Sequence, residues 1–376
     1  MQVHGRYEEF SGRRYFVPGP LADLPEITLP GELAELYGEA MRSLGRVDGL
    51  ARSRRNLTDT RALVKAYVMK EALLSSEIEG TVSTLTAVME AAREPRSGVP
   101  KPEDRDTQDV LNYFEASELA LKMLRQDGLP LVERVIKAAH AVLLDTEAGQ
   151  SKRPGEYRNL PVAVGKHYPP SATYVPHLMK DLEAFLNGNV YPPLMKAGIA
   201  HVQFETIHPF FDGNGRIGRL LVVLGLVHDG LLQEPLIYPS YYFKRFRSEY
   251  YARLDGVRLK GDWAGWLRFY LRAIDETARD TEARLERLSK LMESYRERLR
   301  ALSVKNGERL LSVLLDSPVL AIGPLAEALG VSYPTASAIV RKLEGAGLLK
   351  LRSTQRRNKS YRLEEYMTIL EDETLF

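Results

Sequence analysis

The chain has 376 residues, enough for two or three domains, and its 44% hydrophobic content is that of a globular protein. Fifty-two basic residues against fifty acidic leave a formal charge of +2, so no whole-chain charge argument points to nucleic acid. Cysteine is absent, which excludes disulfides, thiolate zinc and a thiol nucleophile; with no apolar leader core and no apolar run beyond Leu220–Val227, a cytoplasmic protein without a membrane partner is expected.

Residues 1–30 are rich in proline, glycine and aromatics without helical period, and are expected to drape over the surface. Helical patterns begin near Leu33. Leu57 to Gly80 predicts one long helix with Thr58 or Asp59 as cap and Gly80 as stop. A short helix follows, and the polar, proline-bearing stretch 92–106 reads as a loop. From Thr107 helical patterns run through Leu144, then over Met179–Leu186, Pro193–Phe204 and Arg216–Asp229. Between them lies GEYRNLPVAVGKHYPP (155–170). There Val162, Val164 and a Gly165–Lys166 turn, followed by His167 and Tyr168, predict a short β-hairpin.

Ala273 to Ser303 predicts a charged helix. On it Thr281, Leu285, Leu288, Met292, Tyr295, Leu299 and Leu302 alternate by four and three, a heptad seam that either joins two chains as a homodimer or packs as a connecting helix. The last segment predicts a winged helix-turn-helix: helices over Glu308–Asp316, Gly323–Leu329 and Ser332–Glu344, then a hairpin of Leu348–Arg352 and Lys359–Leu363. Between Arg341 and Arg362 stand eight basic residues and one acid, Glu344. That local surplus (Arg341, Lys342, Lys350, Arg352, Arg356, Arg357, Lys359, Arg362) makes DNA an expected partner, with protein docking as the alternative.

The densest chemistry is HPFFDGNGRIGR, residues 208–219. A Gly-Asn-Gly turn opening a helix offers converging N–H donors and a positive dipole end, which suits a phosphate. Arg216 and Arg219 stand three apart on one helical face and can contact neighbouring phosphoryl groups. Asp212 is a hard oxygen ligand placed to hold Mg²⁺ between them, and His208 is a base for neutral pH. A metal reading competes, because Glu205-x-x-His208 with His201 is half of a carboxylate-bridged di-metal pattern. No other histidine has a glutamate three residues before it, so His201 and Glu205 are read as packing or supporting residues.

The string resembles the signature of the Fic family, HxFx(D/E)GNGRxxR, at every specified position: His208, Phe210, Asp212, Gly213, Asn214, Gly215, Arg216 and Arg219. The resemblance implies a mainly α fold: a Fic helical core with a hairpin flap, an N-terminal helical region and a C-terminal winged helix-turn-helix. The expected division is 1–106, 107–275 for the catalytic core, 276–305 for the connecting helix and 306–376. It implies transfer of AMP from ATP, with Mg²⁺ on Asp212, to a hydroxyl side chain of a target protein, His208 acting as base. The nucleotide would lie on Gly213, Asn214, Gly215, Arg216, Ile217, Gly218 and Arg219, with Tyr250 and Tyr251 near the adenine and the flap (Val162, Val164, Gly165) aligning the target segment.

Ser75-Ser76-Glu77-Ile78-Glu79-Gly80 is similar to the (S/T)xxxE(G/N) pattern of the family's inhibitory helix, with Ser75, Glu79 and Gly80 in the specified places. This implies that Glu79 reaches Arg219, as a two-pronged contact that occupies the γ-phosphate site. Two other functions share these residues. One is a transcription regulator that uses the core as a nucleotide sensor; the other is a hydrolase that removes AMP, with Glu79 positioning a water.

Overall fold

The computed structural model describes residues 3–10, 12–28, 30–53, 59–93, 105–165, 167–352 and 359–373. The expected cap at Thr58, most of the 92–106 loop, Lys166 and the wing tip with Arg356 and Arg357 fall outside these residues. The first departure from expectation is at the N-terminus. Strands β1 (Gly5–Phe10) and β2 (Arg13–Pro18) pair antiparallel, with Gly5 opposite Pro18 and Phe10 opposite Arg13. Tyr15, Phe16 and Val17, then Leu21, Leu24 and Ile27, are buried. The segment is therefore anchored: its aromatic and branched residues bury apolar area, which a reading by proline and glycine content overlooks.

The helices follow as α1 (Glu32–Ser53), α2 (Asp59–Ile78), α3 (Leu85–Ala91), α4 (Arg105–Arg125), α5 (Glu133–Leu143), α6 (Glu147–Gln150), α7 (Val175–Leu186), α8 (Pro193–Ile207), α9 (Asn214–His228), α10 (Ser240–Arg245), α11 (Arg247–Lys260) and α12 (Trp263–Ala301). Helix α8 is buried from Leu194 to Ile207, which requires apolar or satisfied residues on all faces. Helix α9 packs against it, and α7, α11 and α12 contact α8. The segment 208–219 thus joins the two innermost helices. Among the described residues, no helix is long and apolar enough to cross a membrane.

Helix α12 begins at an Asp262 cap whose Oδ1 accepts from Gly265 N at 2.9 Å. It runs 39 residues without a break, so the expected boundary at 275/276 falls inside one helix. Its heptad seam is filled within the chain. Thr281, Leu285, Leu288, Met292, Tyr295 and Leu299 are buried, and α12 packs on α1 and on two C-terminal helices, α13 (Gly307–Asp316) and α16 (Glu364–Glu371). The periodicity was legible, and six of its seven positions are buried within the chain.

The C-terminal elements are α13, β3 (Val319–Ala321), α14 (Ile322–Leu329), α15 (Tyr333–Gly345), β4 (Leu349–Leu351), β5 (Ser360–Leu363) and α16. The sheet order is β3–β5–β4, all antiparallel, and Ser332 caps α15 by accepting from Thr335 N. This is the expected winged helix-turn-helix plus β3 and α16. The basic surplus is partly spent within the chain: Arg352 pairs with Glu90, Arg362 with Glu371 and Glu364, and Lys350 lies 3.9 Å from Glu364.

Helix α16 is tied to α2 and α3. Lys70 donates to Leu370 O at 2.8 Å and Thr86 to Glu371 at 2.6 Å. Arg284, 2% exposed, donates to Tyr238 Oη, Asp280 and the carbonyls of Ile369 and Asp372. Arg284→Met leaves Asp280 buried without its arginine and takes a donor from two carbonyls. We expect a loss of about 3 kcal/mol in urea unfolding; a change under about 1 kcal/mol would show that the cluster does not hold the C-terminal helix.

Candidate active site

Helix α8 ends at His208, which takes the C-cap position in the left-handed region at φ 49°, ψ 63°. A non-glycine residue in that region is costly and persists only where its surroundings enforce it. Here Pro209 prevents the helix from continuing, and a buried arginine holds the exposed carbonyls. Arg158 donates Nε to His208 O (2.8 Å) and Nη2 to Ile207 O (3.2 Å) and Pro170 O (2.6 Å). Burial pushes the His208 imidazole down to about 3, with Arg258 and Arg158 adding to the effect, so the ring is neutral at physiological pH.

The turn that follows is built from inside. Phe210 is fully buried and stacks on the His140 ring, with centroids 3.7 Å apart. Asn214 closes both hydrogen bonds of the Phe210 peptide, donating Nδ2 to its carbonyl and accepting from its N–H, each at 2.9 Å. His140 Nδ1 accepts from Gly155 N at 2.9 Å, so Nε2 bears the proton and donates to Asp212 O at 3.0 Å. Gly213, at φ +72°, makes the left-handed entry to α9. The amides of Asn214 and Gly215 lie in the first turn, where a helix has no intrahelical acceptor for them. Asp212 keeps a carboxylate 52% exposed, 4.0 Å from Arg216. Buried Arg216 Nε has no hydrogen-bond partner among the described residues.

Helix α2 arrives over this turn from 140 residues away. It ends in a Schellman motif: Thr81 N donates to Ser76 O and Gly80 N to Glu77 O, with Gly80 at φ +99°. That geometry requires a glycine and leaves Glu79 at the cap, facing α9. Arg219, 1% exposed, donates Nε to Ser75 Oγ (2.8 Å) and Nη2 to Ser75 O (2.9 Å) and Glu79 Oε1 (2.7 Å). The contact with Glu79 is single rather than two-pronged, because Ser75 takes the other side of the guanidinium. Burial opposes charge on both partners. Arg219 nevertheless holds the Glu79 carboxyl below the usual range, and Glu79 raises Arg219 further. A Cβ on Gly215 would sit 2.4 Å from Glu79 Oε1. Glu79 therefore occupies the space over the α9 N-terminus, a cradle of amides, two guanidiniums and one exposed carboxylate suited to an oxyanion chain with a divalent cation.

Comparison with known proteins agrees with this geometry. Residues 130–226 match the Fic/DOC family model and residues 34–122 the model of the Fic/DOC family N-terminal region. This chain is a Fic/DOC family protein. It is 32% identical over 209 residues to "Protein adenylyltransferase Fic" of Drosophila grimshawi, covering 53% of this chain and 40% of that protein. It is 35% identical over 136 residues to "Protein adenylyltransferase fic-1" of Caenorhabditis elegans, covering 35% of this chain and 24% of that protein. These matches span less than half the length of either relative. The crystal structure of a Fic family protein from Desulfovibrio desulfuricans G20 superposes with a TM-score of 0.56 at 26% identity, over 90% of this chain and 98% of that one.

In this Fic/DOC chain some residues assigned from sequence lie elsewhere. Tyr250 is 1% exposed and packs among Phe243, Trp266 and Phe269, with its hydroxyl 2.8 Å from His201 Nε2. It is a core residue; Tyr251, 37% exposed, is the one at the surface. The Ile217 side chain is buried and its N–H bonds Gly213 O, while Gly218 makes room for Glu205, so both positions serve the packing of α9. Among the described residues of 155–170 there is no strand. A single bridge joins Val164 to His167 around Gly165, and Val162 and Val164 are half-buried. His140, Arg158 and Arg258 support the site without having been singled out. They come from separate elements, and only the GEYR string hinted at Arg158.

Proposed function

We propose that this chain is a protein adenylyltransferase that transfers AMP from ATP to a hydroxyl side chain of a target protein and to itself, and that Glu79 restrains it at rest. The observation that carries this reading is the contact of Glu79 with Arg219 at 2.7 Å directly over the α9 turn. A carboxylate on the second signature arginine occupies the place a terminal phosphate would take. With Glu79 displaced, Arg216 and Arg219 would steady the β- and γ-phosphates, and the first-turn amides would face the charge developing at the α-phosphate. Asp212 would hold Mg²⁺, which when bound offsets the charge of the departing pyrophosphate. His208 Nε2 takes the hydroxyl proton as the oxygen bonds to the α-phosphorus and the bond to pyrophosphate breaks.

The test uses two labels in parallel. ATP labelled at the α-phosphate should mark the protein, and ATP labelled at the γ-phosphate should not. Marking from the γ-label instead would overturn the reading in favour of phosphoryl transfer. The winged domain is proposed to meet DNA through α15, where Tyr333, Thr335 and Arg341 are exposed; duplex binding that shows no dependence on salt would count against it.

A further inference from the structure

Glu205 lies on the last turn of α8, three residues before His208, with its side chain 8% exposed. Its Oε2 is 4.0 Å from His208 Nδ1. Its Oε1 and that Nδ1 are both buried without a hydrogen-bond partner among the described residues. Buried polar atoms left unsatisfied are costly, and native structures keep few of them. The fold also makes room for this carboxyl, since a Cβ on Gly218 would come within 2.3 Å of Glu205 Oε1. Two unsatisfied groups on one helical turn, one of them on the proposed base, call for a shared explanation.

We propose that Glu205 is the positioning residue of His208: its carboxylate accepts the Nδ1–H of the imidazole, which leaves Nε2 free to take the hydroxyl proton and stabilises the imidazolium that results. This rests on the transfer reaction proposed above. A modest side-chain rotation closes the present 4.0 Å gap to hydrogen-bond length, about 2.8 Å. The groups facing Glu205 are Arg219, Glu79 and Arg258, with Tyr250 and Tyr251 beyond. Those facing His208 are Arg258, Arg158, the backbone of Glu205 itself, Glu79 and His167. Burial raises the Glu205 carboxyl to about 7; Arg219 and Arg258 work against that rise and Glu79 adds to it.

The sign follows. Loss of Glu79 lowers the Glu205 value, so in a Glu79→Gly protein kcat/KM should rise with pH along a limb at or below about 7. The experiment compares Glu79→Gly with Glu79→Gly/Glu205→Gln in the full chain. The isosteric amide should lower kcat about tenfold or more, leave the KM for ATP within about twofold and abolish the acidic limb. Glu79→Gly/Glu205→Asp, which keeps the charge, should restore the limb. An unchanged kcat and limb would overturn the proposal, as would a raised KM with kcat intact, which marks a nucleotide contact. Nitrogen NMR of the ¹⁵N-histidine-labelled protein without ATP reads the same pair independently. Glu205→Gln should change the tautomer balance of the His208 ring, and an unaltered spectrum also overturns the proposal. If no variant transfers AMP but the ring responds, the pair stands and the reaction assignment fails.

Discussion

Glu79→Gly is expected to raise self-labelling by α-labelled ATP about 10- to 100-fold, within the usual range of coupling between two sites. At rest the Arg219 guanidinium is committed to Ser75 Oγ, Ser75 O and Glu79 Oε1. Only the last of these competes with an anionic ligand in charge as well as position. Glycine removes that competitor and leaves the Ser75 contacts to keep Arg219 extended. Because the Glu79 side chain is 40% exposed, water screens the pair and the gain stays moderate. Arg219 holds the Glu79 carboxyl below its ordinary range, so the pair persists as pH falls until it passes that lowered value. Mild acidification therefore should not mimic the mutation. Labelling of Glu79→Gly equal to that of the parent would remove the inhibitory assignment.

How far the site could be read from sequence depended on whether its chemistry lay in one string. His208, Asp212, Gly213, Asn214, Gly215, Arg216 and Arg219 span twelve consecutive positions, so residue type and spacing alone place them around one turn. The meeting of Glu79 with Arg219 bridges 140 residues, and no local pattern contains it; it was reachable only through resemblance. Arg158, His140 and Arg258 come from three further elements and act by holding carbonyls or neighbouring side chains, a role with no sequence period. Tyr250 and Tyr251 illustrate a different limit. Adjacent residues on a helix point about 100° apart, so one of a pair faces the core while the other faces out, and the string does not say which. Strand β3 and helix α16 are short, and their stability comes from pairing with β5 and from the Arg284 and Lys70 contacts. Local propensity could not announce them.

His208→Ala in the Glu79→Gly background should lower the transfer rate about 10²- to 10⁴-fold, the usual worth of general-base catalysis, while ATP binding measured by calorimetry stays within about twofold. The groups proposed to face the phosphates are untouched by this change: Arg216, Arg219 and the α9 amides stand on their own helix, and Asn214 still closes the Phe210 peptide. What is lost is a ring kept neutral by burial, with its ordinary value pushed down to about 3, and therefore able to accept a proton from below pH 5 upward. His208 alone consequently supplies no acidic limb between pH 5 and 8, and any limb found there belongs to another group, which is the place Glu205 takes. Backbone strain must be separated from chemistry, because alanine at φ 49° is itself unfavourable. His208→Gly relieves the backbone and removes the same imidazole. If the base carries the effect, the alanine and glycine variants fall together; a glycine variant that keeps most of the activity would show that position 208 serves the turn rather than the proton.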